Sequence, residues 1–187
     1  MELQQLIKRI VDIMSLMKRI KSILKNSQYA DIEQLRKIGI KIGQKCEIYS
    51  DVSFGSEPYL ISIGDHDRIT QGVRFVTHDG GVWVVRELYK EHDIDLFGNI
   101  EIGNNVHIGL NTIIMPGVKI GSNVIIGCGA VVTKSIPDGE IWGGVPAKKI
   151  STVEEYYSKH TQDFDHTKNM DIVSKETYLR KKFEKGN

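Results

Sequence analysis

The amino-acid sequence predicts a mainly β protein, in which a parallel β-helix is built from six-residue repeats. An aliphatic residue occupies every sixth position in the second half of the chain: Ile102, Ile108, Ile114, Ile120, Ile126 and Val132. Glycine follows four of these six, and glycine tolerates the backbone geometry of a tight corner. A six-residue period of this kind is typical of a parallel β-helix.

The spacing also predicts how the coils stack. If each repeat is one short strand and one turn, three repeats close a triangular coil, and equivalent residues in neighbouring coils lie about 4.8 Å apart. Because the resulting apolar ladder fills the interior, any substrate must bind on the outside, on loops or between subunits. We expect three stacked pairs: Ile102 with Ile120, Ile108 with Ile126, and Ile114 with Val132.

Before the repeats, residues 1–40 are interpreted as an N-terminal amphipathic helical segment. Apolar residues recur at intervals of three and four from Leu3 to Leu24, the period of one helix face. We expect this face to pack on the rest of the protein or on a sister subunit. The opposite face is rich in lysine and arginine, so contact with an anionic membrane surface is the alternative. A short second helix is predicted to begin after Asp31, a residue type favoured at helix N-caps.

The repeats define a predicted domain over residues 41–150. They begin at Ile42, slip by three residues after Phe54, and continue from Ile63 to Phe75. The segment 79–98 then interrupts the period and is too long for a corner. A long loop that leaves a regular repeat usually has a function, so we expect this ejected loop to shape the site.

Residues 151–187 are interpreted as a C-terminal helical tail. After Val132 the repeat decays toward a Gly-Gly-Val-Pro turn at residues 143–146. Mixed charge beyond this turn predicts one or two weak helices, and no residue pattern there indicates chemistry.

Composition excludes several classes of function. The chain has 25 Lys and Arg against 24 Asp and Glu, a net charge of +1, so no basic field indicates a nucleic-acid partner. Its two cysteines, Cys46 and Cys128, lack the spacing of a disulfide framework or a structural zinc site. No apolar run reaches the roughly 18–20 residues of a membrane span, and Lys8 and Arg9 interrupt any signal-peptide core. We therefore expect a cytoplasmic protein.

Motifs within the repeat region resemble a known family. The run from Ile102 to Gly121, the Thr133–Lys134 pair and the Gly144–Ala147 turn are similar to those of hexapeptide-repeat acyltransferases. The similarity is greatest to maltose and galactoside acetyltransferases and to the O-acetyltransferases of bacterial polysaccharide synthesis, and it covers the chain from about residue 40 to residue 150. It implies a left-handed parallel β-helix, a homotrimer, and acetyl-CoA bound as co-substrate in a cleft between neighbouring prisms.

The resemblance also implies roles for particular residues. His78 matches the histidine that begins the ejected loop in this family and acts as general base on the acceptor hydroxyl or amine. An imidazole suits this task because it can take a proton near neutral pH. Two of the coenzyme positions depart from the family, which has smaller side chains at residues 110 and 128. The residues implied to bind the coenzyme are Leu110, Cys128, Thr133, Lys134 and Lys148.

The implied reaction is O-acetylation of a sugar or polysaccharide precursor by direct attack of its hydroxyl on the thioester. The alternative acceptors are the amine of a nucleotide-sugar and the hydroxyl of serine. Asp79 and Trp83, in the ejected loop, are the candidate acceptor-binding residues. The acids that can orient the His78 ring are Asp67, Asp79, Glu87 and Glu101, among which the sequence does not choose.

Two rival classes share this predicted architecture. The γ-type carbonic anhydrases hold zinc with three histidines, two of them five positions apart, and that spacing is absent here, so we expect no metal. A non-enzymatic scaffold is the other rival. It is less favoured because a scaffold has no reason to carry His78 together with the residues implied to bind the coenzyme.

Overall fold

A three-sided parallel β-helix forms the body of the chain. The computed structural model describes residues 13, 14, 17 and 28–184. The strands in this part are short, and all but β13 place an apolar side chain toward the interior. They are β1 (Lys41–Ile42), β2 (Glu47–Ile48), β3 (Ile61–Ile63), β4 (Arg68–Ile69), β5 (Arg74–Phe75), β6 (Ile100–Ile102), β7 (His107–Ile108), β8 (Ile113–Ile114), β9 (Lys119–Ile120), β10 (Ile125–Ile126), β11 (Val131–Val132), β12 (Glu140–Gly143) and β13 (Lys148–Thr152).

The strands assemble into three sheets, one for each side of the coil. The first sheet has the order β1-β3-β6-β9, the second β13-β12-β10-β7-β4-β2, and the third β11-β8-β5. All neighbours pair in parallel except β12 and β13, which are antiparallel. The chain therefore visits each sheet once per coil.

The predicted stacking is confirmed in all three sheets. The pairs that share a register are Ile102 with Ile120, Ile108 with Ile126, and Ile114 with Val132. Their side chains belong to one continuous buried core, which leaves no space inside the prism for a substrate.

The coils differ in length, and the differences position the site. Hydrogen-bonded residues in neighbouring coils are 18 apart near the C-terminal end, as in Asn104 and Ser122. They are 21 apart in the lower coils, as in Gln44 and Asp65, where a 3-10 helix (Pro58–Leu60) accommodates extra residues. Across the predicted ejected loop the offset rises to 39, from Asp65 to Asn104. This loop contains a helix, α2 (Val82–Tyr89), which the sequence analysis did not predict.

One described helix precedes the β-helix in the chain. The predicted short helix is α1 (Ile32–Lys37), and Asp31 caps it by accepting a hydrogen bond from the Glu33 amide at 2.9 Å. The amphipathic helix predicted before it lies almost wholly outside the described residues, as does its proposed membrane or subunit contact. None of the described helices is long and apolar enough to cross a membrane.

The chain divides into two compact units, residues 1–153 and residues 154–187. Most of the second unit consists of α3 (Val153–His160), which begins at the boundary, and α4 (Ile172–Glu184). Asp165 organises this unit by accepting hydrogen bonds from Tyr178 and Lys182 at 2.6 and 2.7 Å.

Candidate active site

His78 lies at a corner of the prism, just after β5 leaves the third sheet. Hydrogen bonds fix the backbone on both sides of His78, because the end of the inserted segment returns and pairs with residues 77–79. The Asp79 amide donates to the Leu96 carbonyl at 2.8 Å, and the Gly98 amide donates to the Thr77 carbonyl at 2.9 Å. The histidine is therefore mounted on the rigid prism rather than on the free part of the loop.

The His78 ring is oriented by Glu57. Its Nδ1 lies 3.1 Å from Glu57 Oε2, and the Phe97 ring meets it edge-on with 6.3 Å between ring centroids. Because a carboxylate accepts but cannot donate, this contact favours the tautomer with the hydrogen on Nδ1. Nε2 is then left with a free lone pair, as a general base requires.

Glu57 is held ionised by its own neighbours. The buried Thr77 hydroxyl donates to Glu57 Oε2 at 2.7 Å, the same oxygen that His78 contacts. This hydrogen bond is the main reason that the pKa of Glu57 falls below its ordinary value, and bonds from Ser56 and His78 lower it further. At neutral pH the His78 ring therefore faces a negative charge.

Glu57 is not one of the four acids expected from the sequence to orient His78, and that expectation is wrong. Each of the four contacts another group: Asp79 accepts from the Gly81 amide, Asp67 accepts from the Val106 amide, Glu87 pairs with Lys90, and Glu101 pairs with Lys119. A signal in the sequence could have found Glu57. The coils at this end are 21 residues long because of the three-residue slip, and 21 residues before His78 is Glu57.

A cavity of about 490 Å³ opens beside His78. Its walls are mostly apolar, with polar groups at Asp79 and Thr133. Trp83 does not line it, and its side chain is 76% exposed on α2. The lining residues are Val76, His78, Asp79, Gly80, Leu96, Phe97, Gly98, Met115, Pro116, Gly117 and Thr133.

The other residues implied to bind the coenzyme do not line this cavity. Leu110 and Cys128 are stacked neighbours at the corner between the second and third sheets, where the Gly129 amide donates to the Leu110 carbonyl at 2.7 Å. Both side chains are exposed. Lys134 follows Thr133 and is exposed, and so is Lys148 at the start of β13. Thr133 thus lines the same cavity as His78, whereas Leu110 and Cys128 lie at the opposite edge of the third sheet.

The described part of the chain offers no candidate metal centre, since it contains no group of three or more His, Cys, Asp or Glu side chains placed to hold an ion.

Comparison with known proteins agrees with this architecture. The sequence matches the family described as "Bacterial transferase hexapeptide (six repeats)" over residues 99–134. Protein CapG of Staphylococcus aureus is 53% identical over 156 residues, which cover 82% of this chain and 90% of CapG.

Two acetyltransferases are also similar. Galactoside O-acetyltransferase of Escherichia coli (strain K12) is 39% identical over 107 residues, which cover 55% of this chain and 51% of that protein. The solved structure of a galactoside acetyltransferase in complex with coenzyme A shares the fold, with a TM-score of 0.51 and 24% identity over 75% of this chain and 82% of that one. The chain belongs to the hexapeptide-repeat transferase family and is an acetyl-transferring enzyme.

Proposed function

We propose that this enzyme transfers an acetyl group from acetyl-CoA to a hydroxyl of a sugar or polysaccharide precursor. The observation that carries the proposal is the His78–Glu57 pair, 3.1 Å apart, at the edge of the cavity. The similarity to a galactoside O-acetyltransferase supports a sugar hydroxyl as acceptor. Coenzyme A is bound in the solved structure of a galactoside acetyltransferase, which supports acetyl-CoA as donor.

The pair supports direct transfer with His78 as general base. The acceptor hydroxyl gives its proton to His78 Nε2 while its oxygen attacks the carbonyl carbon of the thioester. The Glu57 carboxylate, bonded to Nδ1–H, stabilises the imidazolium that forms. The carbon–sulfur bond then breaks, and Nε2 returns the proton to the leaving sulfur. No bond between the acetyl group and the enzyme is needed.

The distribution of the remaining residues supports a homotrimer. Thr133 and Lys134 follow β11 on the His78 side of the third sheet, whereas Leu110 and Cys128 lie on its other side. In a cleft between two copies, the corner of one copy that holds Thr133 and Lys134 faces the corner of the next copy that holds Leu110 and Cys128. Residues from both corners can then contact one coenzyme. Exposed apolar side chains on α2, including Val84, Leu88 and Tyr89, are also suited to burial by a neighbouring copy.

Within this arrangement the lysines would bind phosphate. Lys134 and Lys148 are exposed and make no ion pair with any described residue, so their charges are available to the phosphates of the coenzyme. Asp79 has one oxygen bonded to the Gly81 amide at 2.8 Å and a second that can accept from an acceptor hydroxyl. Trp83 offers an exposed ring that can stack on a sugar face.

We infer further that the coils wind left-handed and that residues 41–150 form the catalytic domain. The hexapeptide family match and the strands from Lys41 onward support both inferences. Residues 1–40, of which α1 is described, then precede this domain, and residues 151–187 follow it with the end of β13 and with α3 and α4.

A thiol-release assay with acetyl-CoA tests the proposed function. The panel contains sugars, amino-bearing nucleotide-sugars and serine, and we expect acceptor-dependent release of coenzyme A with a sugar hydroxyl. Release only with an amine or with serine would replace the sugar acceptor, and no release with any of them would contradict the proposal. Light scattering checks the homotrimer, which a fully active monomer would contradict.

A further inference from the structure

The geometry points to Thr77 as a positioning residue for acetyl transfer, because its hydroxyl holds the carboxylate that holds the His78 ring. This inference rests on the proposed function, in which His78 is the base and Glu57 orients it. Thr77 itself does not reach the substrate, because its side chain is buried beneath the site with only 1% exposed.

The hydrogen bonds form a short chain that converges on one oxygen. Thr77 Oγ1 donates to Glu57 Oε2 at 2.7 Å, and His78 Nδ1 meets the same oxygen at 3.1 Å. The bond from Thr77 is the shorter of the two, and its donor is fixed by a buried backbone. The Gly98 amide donates to the Thr77 carbonyl at 2.9 Å, and the neighbouring Val76 amide donates to Ile114 in the next coil at 2.9 Å.

Glu57 needs such a restraint because it comes from a less regular part of the chain. It precedes the 3-10 helix in the widened lower coil, and its neighbour Ser56 is exposed. A glutamate side chain has three rotatable bonds, so fixing it costs conformational entropy that a contact must offset. The Thr77 hydroxyl supplies that contact from the rigid side of the corner.

Ser56 is a weaker candidate for the same task. Ser56 also hydrogen-bonds Glu57, but this bond lowers the pKa of the Glu57 carboxyl less than the bond from Thr77 does. The residue is exposed, so solvent competes for its hydroxyl, which also lies 3.4 Å from His78 Nδ1. Thr77 alone among the three partners of Glu57 is both buried and bonded at short distance. Without it, we expect the carboxylate to sample positions in which Nδ1 is not bonded.

The first test is the isosteric variant Thr77→Val, which removes the hydroxyl and keeps the shape. We expect kcat to fall about tenfold, with both KM values changed less than about twofold, because the loss affects the base and not binding. Thr77→Ser keeps the hydroxyl and should retain at least about a third of the wild-type kcat. If Thr77→Val does not fold, Thr77→Ala provides the same comparison with Thr77→Ser.

The deciding test is the double variant of Thr77→Val with Glu57→Gln. Because Thr77 acts only through Glu57, the double variant should be no slower than Glu57→Gln by itself. A structural role would instead multiply the two losses. Thr70→Val is the matched control, since Thr70 is also buried and donates its hydroxyl to the Ile108 carbonyl at 2.7 Å, away from Glu57. It should lose thermal stability but not kcat.

The outcomes separate this inference from the proposed function. If the wild-type enzyme releases no coenzyme A with any acceptor of the panel, the proposed function is wrong. If it does, but His78→Ala and Glu57→Gln both keep the wild-type rate, His78 is not the base, and the positioning role of Thr77 is overturned with it. If they lose activity while the Thr77→Val and Glu57→Gln losses multiply, or while Thr77→Ser is as slow as Thr77→Val, only the positioning role of Thr77 is overturned.

Discussion

Glu57 and His78 occupy equivalent positions in neighbouring coils, 21 residues apart, with 3.1 Å between Oε2 and Nδ1. The offset equals the strand register between these two coils, in which Ile42 pairs with Ile63 and Ile48 pairs with Ile69. The pair is therefore a product of coil stacking, which brings equivalent positions about one strand spacing apart. Any change in the length of the lower coil would separate the two side chains.

The first prediction concerns the base. His78→Ala should lower acetyl transfer by about 100-fold or more, because it removes the Nε2 atom that takes the acceptor proton in the proposed reaction. The measurement is steady-state turnover together with light scattering, which should show an unchanged assembly. His160→Ala, in the C-terminal unit, is the control and should keep the wild-type rate. Near-normal turnover of His78→Ala would contradict the assignment of His78 as the general base.

The second prediction concerns Asp67, which is 1% exposed and has one carboxylate oxygen without a hydrogen-bond partner. Burial raises its pKa from 3.8 to about 6. Between pH 3.8 and about 6 the Asp67 carboxyl binds more protons in the folded chain than in the unfolded chain. The contribution of Asp67 to the free energy of unfolding is therefore fully present at low pH and is lost as the pH rises through about 6. Above that pH, the buried charge of ionised Asp67 lowers the free energy of unfolding by up to about 3 kcal/mol.

Asp67→Asn removes this charge and keeps an oxygen for the Val106 amide, which Asp67 now binds at 2.7 Å. We expect the variant to be more stable than the wild type at pH 8, by about 1–2 kcal/mol, and the difference to shrink as the pH falls toward 4. Urea unfolding at several pH values measures it. Both proteins contain the other titrating carboxylates, so the contributions of those groups cancel in the difference between the two free energies of unfolding. A pH-independent gain for Asp67→Asn would contradict the buried-charge explanation.

The third prediction separates two adjacent lysines. Lys149 is paired with Glu140 at 2.7 Å, whereas Lys148 is exposed without an ion pair among the described residues. Lys148→Ala should raise the KM for acetyl-CoA about five- to thirtyfold and leave the KM for the acceptor nearly unchanged. Lys149→Ala should have a much smaller effect. If Lys148→Ala impairs a truncated thioester without the nucleotide equally, then Lys148 supports the fold and does not bind phosphate.

The fourth prediction tests the core through two consecutive residues of β10. Ile126 points inward with 0% exposed and stacks on Ile108, whereas Ile125 points outward and is half-buried. Ile126→Ala should lower the free energy of unfolding by about 2–5 kcal/mol, because it leaves a cavity in a closed prism. Ile125→Ala should cost less than about half as much. Denaturant unfolding of the two variants decides it, and equal losses would mean that the inward and outward faces are misassigned.

The repeat itself was readable from the sequence. Spacing by six places Ile102, Ile108 and Ile114 on three sides of the prism, and each pairs in the structure with the residue predicted above it. The interruption between Phe75 and Ile102 was equally visible, as was the cap at Asp31. These features depend on local geometry and on a constant coil length, so counting along the chain is enough to find them.

The 21-residue offset points to Glu57, but only the tertiary structure decided that its side chain contacts His78, where the loop is helical, and how the residues implied to bind the coenzyme are divided between two corners. Each depends on how the backbone passes through an irregular segment: the 3-10 helix at Pro58–Leu60 widens the lower coil and sets Glu57 under His78, and α2 carries Trp83 out of the cavity. A periodic pattern fixes a residue's place only while the period holds. Where it fails, hydrogen bonds between distant segments, such as Thr77 to Glu57, determine which side chains meet.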